Sequence, residues 1–428
     1  MKALLFERTI PRYAASRIAS TLGGSGKGVK VGPLRLTDNA SEPGIPGPDW
    51  QRLTVRLSGI CGSDLATLDG HSSRYFEDIV SFPFVPGHEI VADNDEGQRV
   101  VVEPVLTCAA RNVSPPCAPC SAGDTGCCTS LSLGHLAPGL QTGFCADTGG
   151  GWGRYLVAHA SQVHPVPENF SDEDAVMVEP AACGVHAALA AKLTGGETVA
   201  LLGAGTLGLV TLAALRRWSS PRTIVVGAKY PIQKEWAAKL GADLVVEPSE
   251  VLRAVRRVTG SMVAAPASAT VSDSAPGLGP RRASAGSSRR RGAWSPGASA
   301  SPRRLSGGAD LVIDCVGNAT SLDTALSVVR PRGKVLLVGM PGPVRIDLAP
   351  LWHREVSVAG AYAYGRETAL DGSPRTFDLA FELVGEHSLG QLVSARYPLE
   401  RHAEAVAHAA AAGPRGSVKI VFDPRRRR

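Results

Sequence analysis

The sequence predicts an α/β protein, a doubly wound parallel sheet joined to a second, β-rich domain. Three observations carry that expectation. From about Ala181 onward, short apolar strands alternate with stretches of helical periodicity. Ahead of that point, short strand-like runs are broken often by Gly and Pro. At the head of the alternating part, an apolar run opens into three spaced glycines, Val199-Ala-Leu-Leu-Gly203-Ala-Gly205-Thr-Leu-Gly208.

Taken in order, the first part offers the strands Leu53–Leu57, Arg99–Val102 and Tyr155–Ala158. The alternating part follows with a strand over Thr198–Leu202 and a helix whose apolar positions are Leu209, Leu212, Ala213 and Leu215. Next come a strand over Thr223–Val226, a helix over Ile232–Leu240 closed by Gly241, and strands at Leu244–Val246, Leu311–Asp314 and Val335–Val338. Ser261 to Ser306 interrupts this pattern with Ser, Ala, Gly, Pro and Arg, and is expected to be a disordered insert. The part after Leu351 is mixed and ends in the strand-like Ser417–Phe422 before an arginine tail. The expected division is therefore 1–180, 181–350 with the insert, and 351–428 returning to the first domain.

With 428 residues, 44% of them hydrophobic and 20% charged, the chain has the make-up of a globular protein of two domains. Met1–Glu7 runs into charge too soon for a secretion signal. The formal net charge of +6 is local. The insert carries seven arginines against the single acid Asp273, and Arg425–Arg428 add four more, so the remainder is slightly acidic and offers no basic face for nucleic acid. Nine cysteines are an odd number in a chain too large to need disulfide staples. Five of them (108, 117, 120, 127, 128) share one stretch, which reads as metal binding in a reducing, cytoplasmic setting.

The glycine run reads as a dinucleotide cradle. Gly203 permits the tight turn, Gly205 lets the backbone approach a pyrophosphate, and Gly208 lets the helix pack on the strand. Thr206 and Leu207 sit at the helix N-terminus, whose free N–H groups receive phosphate charge. Thr198 to Leu215 is uncharged for almost the length of a membrane span, but three glycines would leave a poorly packed helix in a bilayer.

Three pieces in the first part, Gly59-Ile-Cys61-Gly62-Ser63-Asp64, Pro86-Gly87-His88-Glu89 and Val178-Glu179-Pro180, supply a thiolate, an imidazole and carboxylates from separate loops. Gathered around an open position they make a catalytic zinc shell. Together with the glycine cradle, these motifs resemble the zinc-dependent medium-chain dehydrogenase/reductase family, in particular its threonine- and polyol-dehydrogenase-like branch. The resemblance spans nearly the whole chain outside the insert and tail.

The resemblance implies a GroES-like catalytic domain beside a Rossmann-type one, with Cys61 and His88 on the catalytic zinc and Glu89 and Glu179 as the acidic ligands. It implies that Ser63 passes the substrate proton outward and that Asp64 orients the zinc-bound His88. Hydride then passes between the alcohol carbon and a nicotinamide. Family members with a structural zinc use C-x2-C-x2-C-x7-C. Cys117, Cys120 and Cys128 reproduce the last three positions, Ser114 stands at the first, Cys108 is the substitute thiolate and Cys127 a rival for the last.

Cofactor choice is read after the second strand, where an acid is expected for the ribose of NAD. Here Gly227-Ala228-Lys229-Tyr230 offers no carboxylate, and Lys229 points to the 2′-phosphate of NADP, with NAD the alternative. The strand ends at Val316 and Val338 match those that line the nicotinamide side in the family, while Cys315 reads as core packing. The implied function is oxidation of a secondary alcohol, polyol or amino alcohol, or reduction of the matching carbonyl, by a homodimer or homotetramer with no membrane partner. Two alternatives stand beside it. One is a zinc-free quinone or enone reductase on the same scaffold, and the other a non-catalytic NADP-binding protein with an arginine-rich tether.

Overall fold

Two sheets, one closed by the far end of the chain, position everything that follows. The computed structural model describes residues 1–264 and 304–426. The first half contains strands β1 (Ala3–Phe6), β2 (Leu34–Thr37), β3 (Trp50–Gly59), β4 (Ile90–Asp93), β5 (Arg99–Val102), β6 (Tyr155–His159) and β7 (Val163–Pro165). Its helices are α1 (Ile10–Gly23), α2 (Gly62–Leu68), α3 (Ala118–Ala122), α4 (Asp172–Val176) and α5 (Val178–Ala190). The middle runs β8 (Thr198–Leu202), α6 (Thr206–Trp218), β9 (Thr223–Gly227), α7 (Pro231–Lys239), β10 (Leu244–Val246) and α8 (Val251–Thr259). It continues with β11 (Val263–Ala264), β12 (Arg304–Leu305), β13 (Ala309–Asp314), α9 (Ala319–Val328), β14 (Val329–Leu337), α10 (Ala349–Arg354) and β15 (Ser357–Gly360). The chain ends with α11 (Thr376–His387), β16 (Val393–Tyr397), α12 (His402–Ala410) and β17 (Lys419–Phe422).

The middle strands form one parallel sheet in the order β10-β9-β8-β13-β14-β15. Its order reverses between β8 and β13, and a crevice for a ligand lies outside the strand ends at such a switch point. All five residues of β8 are buried, as expected of a parallel strand covered by helices on both faces. Arg216 and Arg217 close α6 where cations suit the negative helix end, and Gly241 ends the α7 region in the left-handed conformation at φ 97°.

The first half builds a seven-stranded sheet, β16-β17-β3-β4-β5-β7 with β6 also on β3. Residues Val421 and Phe422 of β17 pair antiparallel with Gly59 and Ser58 of β3, so the end of the chain completes the sheet from which Cys61 emerges. One buried core cluster runs through both halves, with Leu57, Val91, Val178, Val185, Val210 and Phe377 in it.

Two expectations change. The parallel sheet continues past residue 350, because β15 pairs with β14 in parallel, so the boundary expected at 350 lies later in the chain. The insert expected to be disordered over 261–306 has an ordered stem: Val263 and Ala264 pair antiparallel with Leu305 and Arg304. The rest of that insert lies outside the described residues. At the start of the tail, Arg425 reaches Asp423 at 3.1 Å and Asp172 at 3.5 Å. No helix among the described residues is long and apolar enough to cross a membrane.

Helix α1 was not legible in the sequence. Its inward residues are Ser16 and Ser20, while Ile10, Ile18 and Leu22 are exposed, which inverts the usual apolar-in pattern.

Candidate active site and metal centres

Strand β3 ends at Gly59, and the chain turns at Cys61 into α2, whose first turn carries Ser63 and Asp64. Asp64 reaches back to cap the turn: one carboxylate oxygen accepts from the Cys61 backbone N–H at 2.9 Å. Its other oxygen stands 3.5 Å from His88 Nδ1 in a setting where both side chains are almost fully buried. His88 and Glu89 enter from the Pro86-Gly87 turn. Gly87 adopts φ 95°, and a Cβ there would lie 2.4 Å from the Trp152 ring, so only glycine fits the approach.

Ligand atoms of Cys61, His88 and Glu89 all lie within 4.8 Å of one another. Burial works against a charged His88, but the carboxylate of Asp64 and the Cys61 sulfur together outweigh it and hold the imidazole well above its ordinary value. His88 Nδ1 and Asp64 Oδ1 are buried without a hydrogen-bond partner among the described residues. A thiol, an imidazole and a carboxylate converging on one point, with a carboxylate behind the imidazole, are the donor set and backing that a zinc ion requires. The residues present therefore fit the metal.

Glu179, at the head of α5, falls outside that trio. Its Oε1 accepts from the Tyr364 hydroxyl at 3.2 Å and from the Cys183 thiol at 3.7 Å. Burial raises its carboxyl to about 7, the neighbouring Glu89 adding to the effect and His88 and Lys419 opposing it.

Lys419, on β17, is the functional neighbour that sequence reasoning missed. Its side chain is 2% exposed, and its ammonium pairs with Glu89 and donates to the Ile60 carbonyl at 3.3 Å. Room for the pair comes from Gly59, where a Cβ would overlap Glu89 Oε2 at 1.6 Å. A lysine in a strand-like run 330 positions from its partner gives no local signal, and only the β17–β3 pairing brings the two together.

The second cluster forms in the loop after β5. The sulfurs of Cys108, Cys117, Cys120 and Cys128 lie within 4.8 Å of one another, with Cys108 to Cys128 at 3.7 Å and Cys117 to Cys128 at 3.9 Å. Backbone N–H groups point at the sulfurs, from Cys117 to Cys108 at 3.3 Å, Thr129 to Cys117 at 3.5 Å and Ser130 to Cys128 at 3.4 Å. Burial pushes the Cys117 thiol up, but hydrogen bonds from the Thr129 and Cys120 backbones and from the Thr129 and Cys108 side chains prevail and bring it to about 6. Cys127 is exposed and outside the group, and so is Ser114. Four thiols in a closed, tetrahedral-sized cluster fit a structural zinc.

In the cofactor half, the three glycines occupy three different environments. A Cβ on Gly203, at φ 92°, would strike Val316 Cγ2 at 2.6 Å, and one on Gly208 would lie 1.9 Å from the Gly203 carbonyl. Gly205 has nothing within 4 Å of its Cβ position and stands as N-cap of α6, leaving open space where the Thr206 and Leu207 N–H groups point outward. Val316 is 45% exposed, with its Cγ2 beside Gly203. Val338 follows β14 and its N–H donates to Asp314 at 2.9 Å. Lys229 is exposed after β9, with its ammonium 5.5 Å from the Tyr230 ring centre. The cradle therefore fits a dinucleotide, with open space at Gly205 for the pyrophosphate. Cys315 packs against the core, and burial pushes its thiol up to about 12.

Fold and site together define an α/β oxidoreductase scaffold that carries a Cys-His-Glu trio and, on its parallel sheet, a glycine-rich strand-to-helix turn. Residues 47–168 match the model of the alcohol dehydrogenase GroES-like domain, and residues 206–382 match that of the zinc-binding dehydrogenases. The chain belongs to the zinc-dependent medium-chain dehydrogenase/reductase family of alcohol dehydrogenases. It is 27% identical to a sorbitol dehydrogenase of Arabidopsis thaliana over 390 residues, covering 88% of this chain and 89% of that one. It is 24% identical to an L-idonate 5-dehydrogenase of Vitis vinifera, covering 88% of each. The fold is shared with 2R,3R-butanediol dehydrogenase from Bacillus subtilis, at a TM-score of 0.63, 20% identity and 99% coverage of both chains.

Proposed function

We propose that the chain interconverts a secondary alcohol, polyol or amino alcohol and the matching carbonyl, using NADP or NAD. The observation that carries this reading is the trio of Cys61, His88 and Glu89 within 4.8 Å at the head of α2, next to Ser63. A zinc ion held by that trio would polarise the substrate oxygen, and a nicotinamide dinucleotide on the 203–208 turn would exchange hydride with the substrate carbon.

The chain's own residues do the rest. Asp64 engages Nδ1 of His88 and leaves Nε2 as its ligand nitrogen. Lys419 offsets the charge of Glu89 and fixes its carboxylate. Ser63 takes the substrate proton at its hydroxyl and hands it toward solvent. The exposed Lys229, with no acid after β9, favours the 2′-phosphate of NADP. Cys108, Cys117, Cys120 and Cys128 would hold a second, structural zinc.

Nine free cysteines suit a reducing cytoplasm. The exposed edge strand β15, with Val358 at 42% and nearby Trp352 at 84% exposure, supports a homodimer or homotetramer. A complete ligand trio speaks against a zinc-free reductase and against a purely cofactor-binding role.

The test is Cys61→Ala. Turnover of sorbitol and 2,3-butanediol should vanish while NADP titration is unchanged, and zinc should fall by about one ion per chain from about two. Turnover that survives the substitution would overturn the reading.

A further inference from the structure

Strands β1 and β2 pair in antiparallel register, with Phe6 opposite Leu34, so a short turn would join them. Residues 7–33 instead leave the hairpin, build α1 and a single turn at Lys27–Lys30, and return. We infer that this excursion is a brace that fixes the alcohol-side lip of the cleft, with the buried Asp69 as its positioning residue. The inference relies on the alcohol dehydrogenase reading only for which side of the cleft admits substrate.

Four polar groups of the excursion converge on the end of α2. Ser16 Oγ donates to the Leu68 carbonyl. Ser20 Oγ donates to the Asp69 carbonyl at 2.9 Å and pairs with His71 Nε2 at 3.1 Å. Ser25 Oγ donates to the Asp69 carboxylate at 2.6 Å, and the Gly26 N–H donates to both its oxygens at 3.0 Å.

Asp69 is 2% exposed, and among the described residues no cation pairs with it, so these neutral donors are what stabilises its buried carboxylate. Gly70 then turns at φ 70° directly against α1, where a Cβ would lie 3.1 Å from that of Arg17. The brace is itself anchored, since a Cβ on Gly26 would meet Ala410 of α12 at 2.9 Å.

What the brace holds is one place where the two halves meet. Helix α2 begins with Ser63 and Asp64 beside the metal trio and ends at the Asp69-Gly70-His71 turn. On the other side, β14 delivers the chain to Gly342, past the nicotinamide-side residue Val338. A Cβ on Gly342 would lie 3.1 Å from the His71 carbonyl, so the turn after α2 and the segment after β14 are in backbone contact. A lip held by serine hydroxyls and one buried carboxylate keeps its distance from the cofactor side, and substrate affinity depends on that distance.

The test compares Asp69→Ala and Asp69→Asn in the full zinc-containing protein. Hydrogen exchange is followed at 69–72 and 339–342, and KM and kcat are measured for sorbitol and 2,3-butanediol with NADP. Asp69→Ala should speed exchange at 69–72 and raise KM about fivefold with kcat changed by less than about twofold, as a displaced lip requires. Asp69→Asn keeps an acceptor for Gly26 and Ser25 and should recover most of both effects. NADP affinity should not move.

Unchanged exchange at 69–72, or faster exchange with an unchanged KM, would overturn the brace. An equal fall in kcat and NADP affinity would do so as well. If the native protein turned over neither alcohol, the functional reading would fail, and exchange alone would still decide the brace. Should Asp69→Ala not fold, Ser25→Ala removes one donor and is read in the same way.

Discussion

Replacing Lys419 with Met keeps the length and apolar stem of the side chain and removes only the ammonium. Both members of the Lys419–Glu89 pair are 2% exposed, so neither charge has water to fall back on. The carboxylate left behind would also face Glu179 without the cation that now offsets both. Removing one partner of a buried pair costs about 3–5 kcal/mol, and the similar volume of Met keeps any cavity term small. Melting of the chelator-treated protein should drop by roughly 4 °C, from about 1 °C per kcal/mol in a chain of 428 residues. Added zinc should restore part of the loss, because the carboxylate again meets a cation. Combining Lys419→Met with Glu89→Gln should be milder than the sum of the two single changes, since the stranded charge is gone. A loss under about 1 kcal/mol, or strict additivity in the double variant, would refute the assignment of Lys419 as the counter-charge that holds Glu89.

Other outcomes follow from the same geometry. Gly208→Ala forces a Cβ to 1.9 Å from the Gly203 carbonyl and should lower both melting temperature and dinucleotide affinity, whereas Gly205→Ala meets nothing in the free protein and should lose affinity alone. Lys229→Ala should weaken NADP about tenfold in a fluorescence titration and leave NAD within about twofold, the size of one charge-assisted phosphate contact. Cys108→Ser should remove about one zinc per chain while Cys127→Ser removes none, because only Cys108 stands in the four-sulfur group. In the metal-free chain, Glu179 is held protonated up to about 7 against 4.5 when unfolded. Its contribution to stability is full below about pH 4.5 and is lost as pH rises through about 7, by about 1.4 kcal/mol per unit of displacement. Glu179→Gln should flatten that decline in denaturant titrations across this window.

The sequence alone determined what depends on neighbours along the chain. The cradle is local: an apolar strand, three glycines and a helix lie within 21 residues, from Thr198 to Trp218, so their periods and spacing can be read directly. The motifs around Cys61 and His88 are also short, and their residue types state their chemistry without a fold. Tertiary structure decided what depends on pairing between distant segments. It placed Cys128 rather than its rival Cys127 in the four-sulfur group, because the loop after β5 turns one sulfur inward and leaves the other exposed. It set Glu179 against Tyr364, outside the trio. It brought Lys419 to Glu89 through the register of β17 on β3, and it revealed α1, whose inward serines carry no hydrophobic period. Hydrophobic periodicity reports the face that an element buries, but hydrogen bonds and ion pairs between residues far apart in sequence leave no such trace.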